Sequence, residues 1–292
     1  MRGFRTDLAM ESGGEESGRL EGVSMSAHQI GGVKRTRIVI QSRRAAEVLQ
    51  RPVGEYITLE CPELSRCGQP ERPMLIRLIA QAVRALLPKE GEVLVVGLGN
   101  RNVTADALGT RVVERTLVTR HLGESLAREM RGRLRGVSAI APGVLGLTGI
   151  ETAELCRGLI QRVRPAAVVA IDALAAFDSG RICSTIQITN TGIEPGSGVG
   201  NHRCPLSRDT LGVPVYAIGV PTVVDAATLT LDVLEEAGKS DVDPAALRGH
   251  ETVMVTTRDI DAQIRELSRI IGYGIDLALQ PLDFSELCAL MG

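Results

Sequence analysis

The sequence predicts an α/β fold built on buried parallel strands, and three observations predict it. Residues 93–96 (VLVV) and 166–171 (AAVVAI) are apolar throughout and rich in β-branched side chains, as strands buried on both faces are. Segments with apolar residues at helical spacing precede and follow them. The 292 residues suffice for a large core, and with an aromatic share of only 2% that core rests on Leu, Ile, Val and Ala. A strand, helix, strand order of this kind implies right-handed crossovers.

The elements follow in chain order. Residues 1–36 are polar, rich in Gly, Ser and Glu, and lack sustained periodicity, so they read as a mobile arm ahead of a single domain over 37–292. Within the arm, only Phe4, Leu8 and Met10 interrupt the polar character. Residues 37–40 and 56–60 are short strand candidates, with a helix between them at 43–50. Pro73 opens a helix to about Leu87, with Leu75, Ile79, Ala82, Val83 and Leu86 on one face and Pro88 as its stop. After the strand at 93–96, residues 110–130 read as mostly helical. Residues 136–149 (GVSAIAPGVLGLTG) are apolar and punctuated by Gly and Pro. Thr148 and Glu151 have capping-box spacing ahead of a helix that presents Leu155, Leu159, Ile160 and Val163 and stops at Pro165. Strands follow at 166–171, 182–188 and 214–220. Asp225 can cap a helix through Glu236. A short strand at 253–256 and a helix at 258–279, with Ile260, Ile264, Leu267 and Ile271 inward, complete the series.

Composition excludes several functions. Lys+Arg is 33 and Asp+Glu is 35, so no basic surplus announces nucleic acid. The six cysteines form no CxxC pair, which favours scattered reduced thiols in the cytoplasm over a zinc site. No signal-peptide apolar region opens the chain, and no apolar run is long enough for a membrane span.

The chemistry-bearing residues cluster where apolar strands end. In residues 92–109 (EVLVVGLGNRNVTADALG), a strand turns at Gly97 and Gly99 into a polar loop ending at Asp106. Residues 166–171 likewise lead into Asp172. Strand ends of this kind are where open α/β folds place ligands. If the two strands are neighbours, both carboxylates leave the same sheet edge. One can then hold a proton while the other acts as base toward water, which suits hydrolysis of an amide. The alternative is that each aspartate merely caps the next helix. Asn100, Asn102 and Thr104, close to Asp106, are candidate donors to an oxyanion. A dinucleotide site is disfavoured because Asn102 stands where GxGxxG requires its third glycine. Residues 192–200 (GIEPGSGVG) lack the Lys-Ser/Thr of a phosphate loop. Their glycines instead let backbone approach an extended ligand or a neighbouring loop. His121 and His202 carry no metal motif.

Five segments in the same order resemble the germination protease family of spore-forming bacteria. They are RTDLAMES at 5–12, LVVGLGNRNVTADALG at 94–109, AIDALAA at 170–176, STIQITNTGIEPGSGVGN at 184–201 and LGVPVYAIGVPTVVDA at 211–226. The resemblance implies a three-layer α/β sandwich around a central, mostly parallel twisted sheet, similar to the hydrogenase-maturation peptidases. It implies an endopeptidase that degrades small acid-soluble spore proteins at germination, acting in the spore cytoplasm as a homotetramer. No cofactor, metal, membrane or direct nucleic-acid partner is implied. It further implies a zymogen that cuts itself after an acidic residue and before an apolar one, which places the processing site at Asp7 and Leu8. The family's two proposed catalytic aspartates fall on Asp106 and Asp172. A metal-dependent peptidase at the same site is the first alternative, and a nucleotide-binding α/β protein using Gly97 and Gly99 is the second. Six residues precede Asp7, a shorter leader than the family resemblance implies.

Overall fold

The computed structural model describes residues 6–11, 20–65, 71–122, 134–200, 203–239, 247, 249–250 and 252–291. Its centre is a nine-stranded sheet. The strands are β1 (Val23–Ile30), β2 (Val33–Ile40), β3 (Gly54–Glu60), β4 (Val93–Gly97), β5 (Val137–Ile140), β6 (Ala167–Ala175), β7 (Thr185–Thr189), β8 (Val215–Asp225) and β9 (Met254–Val255). The spatial order is β1-β2-β3-β7-β8-β6-β4-β5, with β9 on the end of β8. The block β8-β6-β4-β5 is parallel, and every other pairing is antiparallel.

The sheet is therefore mixed, where the sequence predicts a mostly parallel one. The reason lies at its first edge. β1 and β2 form a hairpin across the two-residue turn Gly31-Gly32, with Ile30 opposite Val33, and so tight a connection forces antiparallel pairing. The hairpin also corrects the arm expected over residues 1–36. β1 is an edge strand exposed along most of its length, so it needs no apolar alternation and shows none.

Helices cover both faces. On one face lie α2 (Arg72–Leu86), α3 (Leu108–Val113) and α8 (Ile260–Leu279). Leu75, Ile79 and Val83 of α2, Leu108 and Val112 of α3, and Ile264, Leu267 and Ile271 of α8 pack with Val93, Val95, Val169 and Ile171. On the other face, Ala153 and Cys156 of α5 (Thr152–Val163) and Leu211 of α6 (Arg208–Leu211) pack with Leu94, Val96, Val168 and Ala170. Alternate residues of β4 and β6 thus enter two different cores, which is why both strands read as unbroken apolar runs. A smaller cluster packs α1 (Arg43–Leu49) on Ile38, Ile40 and Tyr56.

Three local expectations change. The helix expected over 110–130 ends at Val113, and residues 123–130 lie outside the described residues. The Thr148–Glu151 box does not form. Thr148 closes the short α4 (Leu145–Thr148), its hydroxyl bonding the Val144 and Ile150 carbonyls, and Glu151 precedes α5 with no side-chain cap. β6 runs on to Ala175, so Asp172 sits inside a strand rather than after one. The Asp225 cap does form, accepting from the Thr228 N–H at 2.7 Å at the start of α7 (Ala226–Glu236). The chain ends with α9 (Phe284–Met291).

Candidate active site

The site begins where β4 stops. Register pairs Gly97 with Ile171, the last contact between β4 and β6. Beyond it, β6 keeps its partner on the other side, with Asp172 opposite Gly219 of β8. The vacated edge is filled by the loop that leaves β4. Leu98 donates its N–H to the Ile171 carbonyl at 2.8 Å, and a 3₁₀ turn at Thr104–Asp106 delivers Asp106 just ahead of α3.

Glycines permit this closure. A Cβ on Gly97 would lie 2.1 Å from the Gly109 carbonyl oxygen, and one on Gly109 would lie 2.3 Å from the Ile171 carbonyl oxygen. Gly99, with φ +96°, would place a Cβ 1.9 Å from the Asp106 carbonyl oxygen. These glycines seat α3 and its leading turn directly on the strand ends. The space a dinucleotide pyrophosphate would need is filled by the chain's own backbone, which removes the reading of Gly97 and Gly99 as a phosphate cradle.

Two aspartates sit at this strand end, and the charge of Asp106 acts on Asp172. Asp172 is 5% exposed and Asp106 is half-buried. Burial holds the Asp172 carboxyl well above the ordinary carboxylate range, and the charges of Asp106 and Asp7 push it further up. The Ala173 N–H, 3.0 Å from Oδ1, opposes the rise. Burial also raises Asp106, against a hydrogen bond of 2.7 Å from the Asn100 N–H to its Oδ2. Repulsion between the two carboxyls disfavours ionising both at once.

The third contributor, Asp7, arrives from the other end of the chain. Residues 6–11 lie against the end of β6, and Leu8 is fully buried in the main core. The Asp7 N–H donates to the Ala175 carbonyl at 3.2 Å, and its carboxylate accepts from the Ala175 N–H at 3.0 Å and from the Ser197 hydroxyl at 2.6 Å. Gln187 brackets Leu8: Nε2 donates to the Asp7 carbonyl at 3.1 Å, and Oε1 accepts from the Ala9 N–H at 2.7 Å. Glu11 anchors the segment through Arg181 at 3.0 Å and the Phe177 N–H at 2.9 Å.

The oxyanion candidates lie differently. Asn100 turns its backbone N–H to Asp106, and its side-chain oxygen accepts from the Asn102 N–H at 3.0 Å. Asn102 is exposed, and the Thr104 hydroxyl bonds Asp261 at 3.0 Å. The donor that does reach a peptide carbonyl, Gln187, was missed. Its signal is a glutamine in the middle of the otherwise β-branched strand TIQIT. Among the described residues no group of three His, Cys, Asp or Glu side chains is arranged to hold a metal ion.

Comparison with known proteins shows the family. The germination protease family profile matches residues 5–240. A germination protease of Caldanaerobacter subterraneus is 43% identical over 96% of this chain and 95% of its own length. One from Clostridium acetobutylicum is 39% identical over 98% of both chains. One from Bacillus cereus is 45% identical over 80% of this chain and 66% of its own. With a profile spanning Asp7, Asp106 and Asp172 and relatives aligned over nearly the whole length, this chain belongs to the germination protease family of peptidases.

Proposed function

We propose that this chain is an aspartate-dependent endopeptidase that begins the breakdown of small acid-soluble spore proteins at germination. It is made as a zymogen in the developing spore and processed by its own activity between Asp7 and Leu8. It works in the spore cytoplasm as a homotetramer. The observation that carries this reading is that residues 6–11 occupy the same strand end as Asp106 and Asp172, in the manner of a bound peptide.

Asp106, half-buried and hydrogen-bonded by the Asn100 N–H, is the ionised member and draws a proton from water. The water oxygen adds to the carbonyl carbon of the scissile bond. Gln187 Nε2 stabilises the oxygen that becomes negative. Asp172, whose buried carboxyl keeps its proton, donates it to the amide nitrogen. The C–N bond then breaks, leaving a new carboxylate and a new amine.

The test is cleavage of a peptide with an acidic–apolar bond by the purified protein. Asp172→Asn and Asp106→Asn should each lower the rate by about 10²–10⁴-fold while the protein stays folded. A chelator should leave the rate unchanged. Activity lost to chelation and restored by a divalent metal moves the chemistry to a metal-dependent peptidase. Full activity in Asp172→Asn refutes the assignment.

A further inference from the structure

We propose that the slot formed by the Ala175 N–H, the Ser197 hydroxyl and the backbone of Gly198 is the subsite that reads the acidic side chain of the peptide, with Ser197 and Gly198 as specificity-determining residues. The proposal rests on the endopeptidase reading above and deepens it.

The slot is already occupied. Asp7 Oδ2 lies 3.0 Å from the Ala175 nitrogen, and Oδ1 lies 2.6 Å from Ser197 Oγ. Both donors are neutral. Ser197 has a second acceptor, the Glu194 carbonyl at 2.9 Å, but its shorter contact is to the carboxylate. Hydrogen bonds to an ionised acceptor are the strong ones, so two such donors discriminate against a side chain with no oxygens.

Shape adds to charge. A Cβ on Gly198 would fall 2.2 Å from Asp7 Oδ2 and 2.8 Å from the Ala175 Cβ. The absence of a side chain at 198 is therefore what leaves room for a carboxylate against the strand. Gly198 follows Ser197 in a 3₁₀ turn (Ser197–Val199) flanked by Gly196 and Gly200, which both adopt positive φ. The glycine-rich loop thus serves two close approaches. Gly192 meets the Leu206 carbonyl, where a Cβ would stand at 2.2 Å, and Gly198 meets the docked peptide. Leu8 then enters the apolar core and Gln187 holds the backbone on either side of it. The side-chain slot, bracket and apolar pocket together select an acidic–apolar pair.

Two measurements test this, the first on protein already processed between Asp7 and Leu8 and the second on the full-length chain. In the first, cleavage of matched peptides bearing Asp-Leu and Ala-Leu bonds is compared. Ser197→Ala should lower kcat/KM for Asp-Leu by about 10-fold or more, the worth of one hydrogen bond to a charge, with little change for Ala-Leu. Ser197→Thr, which keeps the hydroxyl, should restore the preference. Gly198→Ala should reject Asp-Leu more severely still. An Asp-to-Ala ratio unchanged in Ser197→Ala overturns the subsite while leaving the endopeptidase reading intact.

The second measurement needs no catalysis. Hydrogen exchange at residues 7–11 is followed in the Asp172→Asn background. Asp7→Ala and Ser197→Ala should each speed exchange several-fold, and the double variant should be no faster than either. If that non-additivity appears while no peptide is cut by the unmutated protein, the slot stands and the endopeptidase reading fails. Strictly additive effects, or none, overturn the slot.

Discussion

Asp172 is a carboxyl whose proton affinity the fold has raised, and that has a thermodynamic consequence. Well below its ordinary value of 3.8 the group is protonated in both folded and unfolded chains and costs nothing. As pH rises, the unfolded chain releases the proton while the buried carboxyl retains it. Folding then loses about 1.4 kcal/mol per pH unit until the raised folded value is passed. Asp172→Asn removes this penalty. Its melting temperature should match that of the unmutated protein well below pH 3.8 and exceed it increasingly as pH rises above that value, as followed by calorimetry. A constant difference at all pH values would show that Asp172 titrates normally. The predicted pH-dependent gap would mark Asp172 as a destabilising group that an amide relieves, which is how a residue kept for chemistry differs from one kept for packing.

At the scale of elements, the site depends on how closely α3 sits on the ends of β4 and β6. Gly109 is the contact point, since a Cβ there meets the Ile171 carbonyl, the Leu98 nitrogen at 2.5 Å and the Leu98 carbonyl. Gly109→Ala must push the helix and its leading turn away from β6. We expect a loss of stability of about 1–3 kcal/mol, as for other overpacked sites. The peptidase rate should fall further than stability explains, because Asp106 moves with the turn. Denaturant unfolding alongside peptide cleavage separates the two effects. A variant that is destabilised yet fully active would show that the separation of the aspartates does not depend on this packing. Parts of this arrangement are legible in the sequence. The apolar runs ending at Gly97 and near Asp172 announce strand ends, because β4 and β6 are buried on both faces. The shortness of α3 is not, since Thr116 and Leu117 follow it in a helix-compatible pattern and a tertiary contact, the Leu117 N–H to Asp276 at 2.9 Å, draws them off the helical path.

The whole molecule brings together parts that no local pattern could join. Gln187 and Asp7 are 180 positions apart yet share a hydrogen bond. Ser197 and Asp7 are 190 apart. Local sequence therefore marks the aspartates but not the bracket or the slot. The β1–β2 hairpin was illegible for another reason: an exposed edge strand buries too little to need an apolar pattern. What the mixed sheet achieves is placement. Its antiparallel half carries β7 with Gln187, its parallel half carries β6 with Asp172, and β8 joins the two. Residues 6–11 lie across the junction, with bonds to both β6 and β7.

The most direct test of the central claim is the intact mass of the purified protein before and after mild acidification. The unmutated chain should convert to a form whose first residue is Leu8, and Asp172→Asn should stay whole under the same conditions. An unmutated chain that never shortens, or an Asp172→Asn chain that shortens to Leu8 just as fast, would contradict the account.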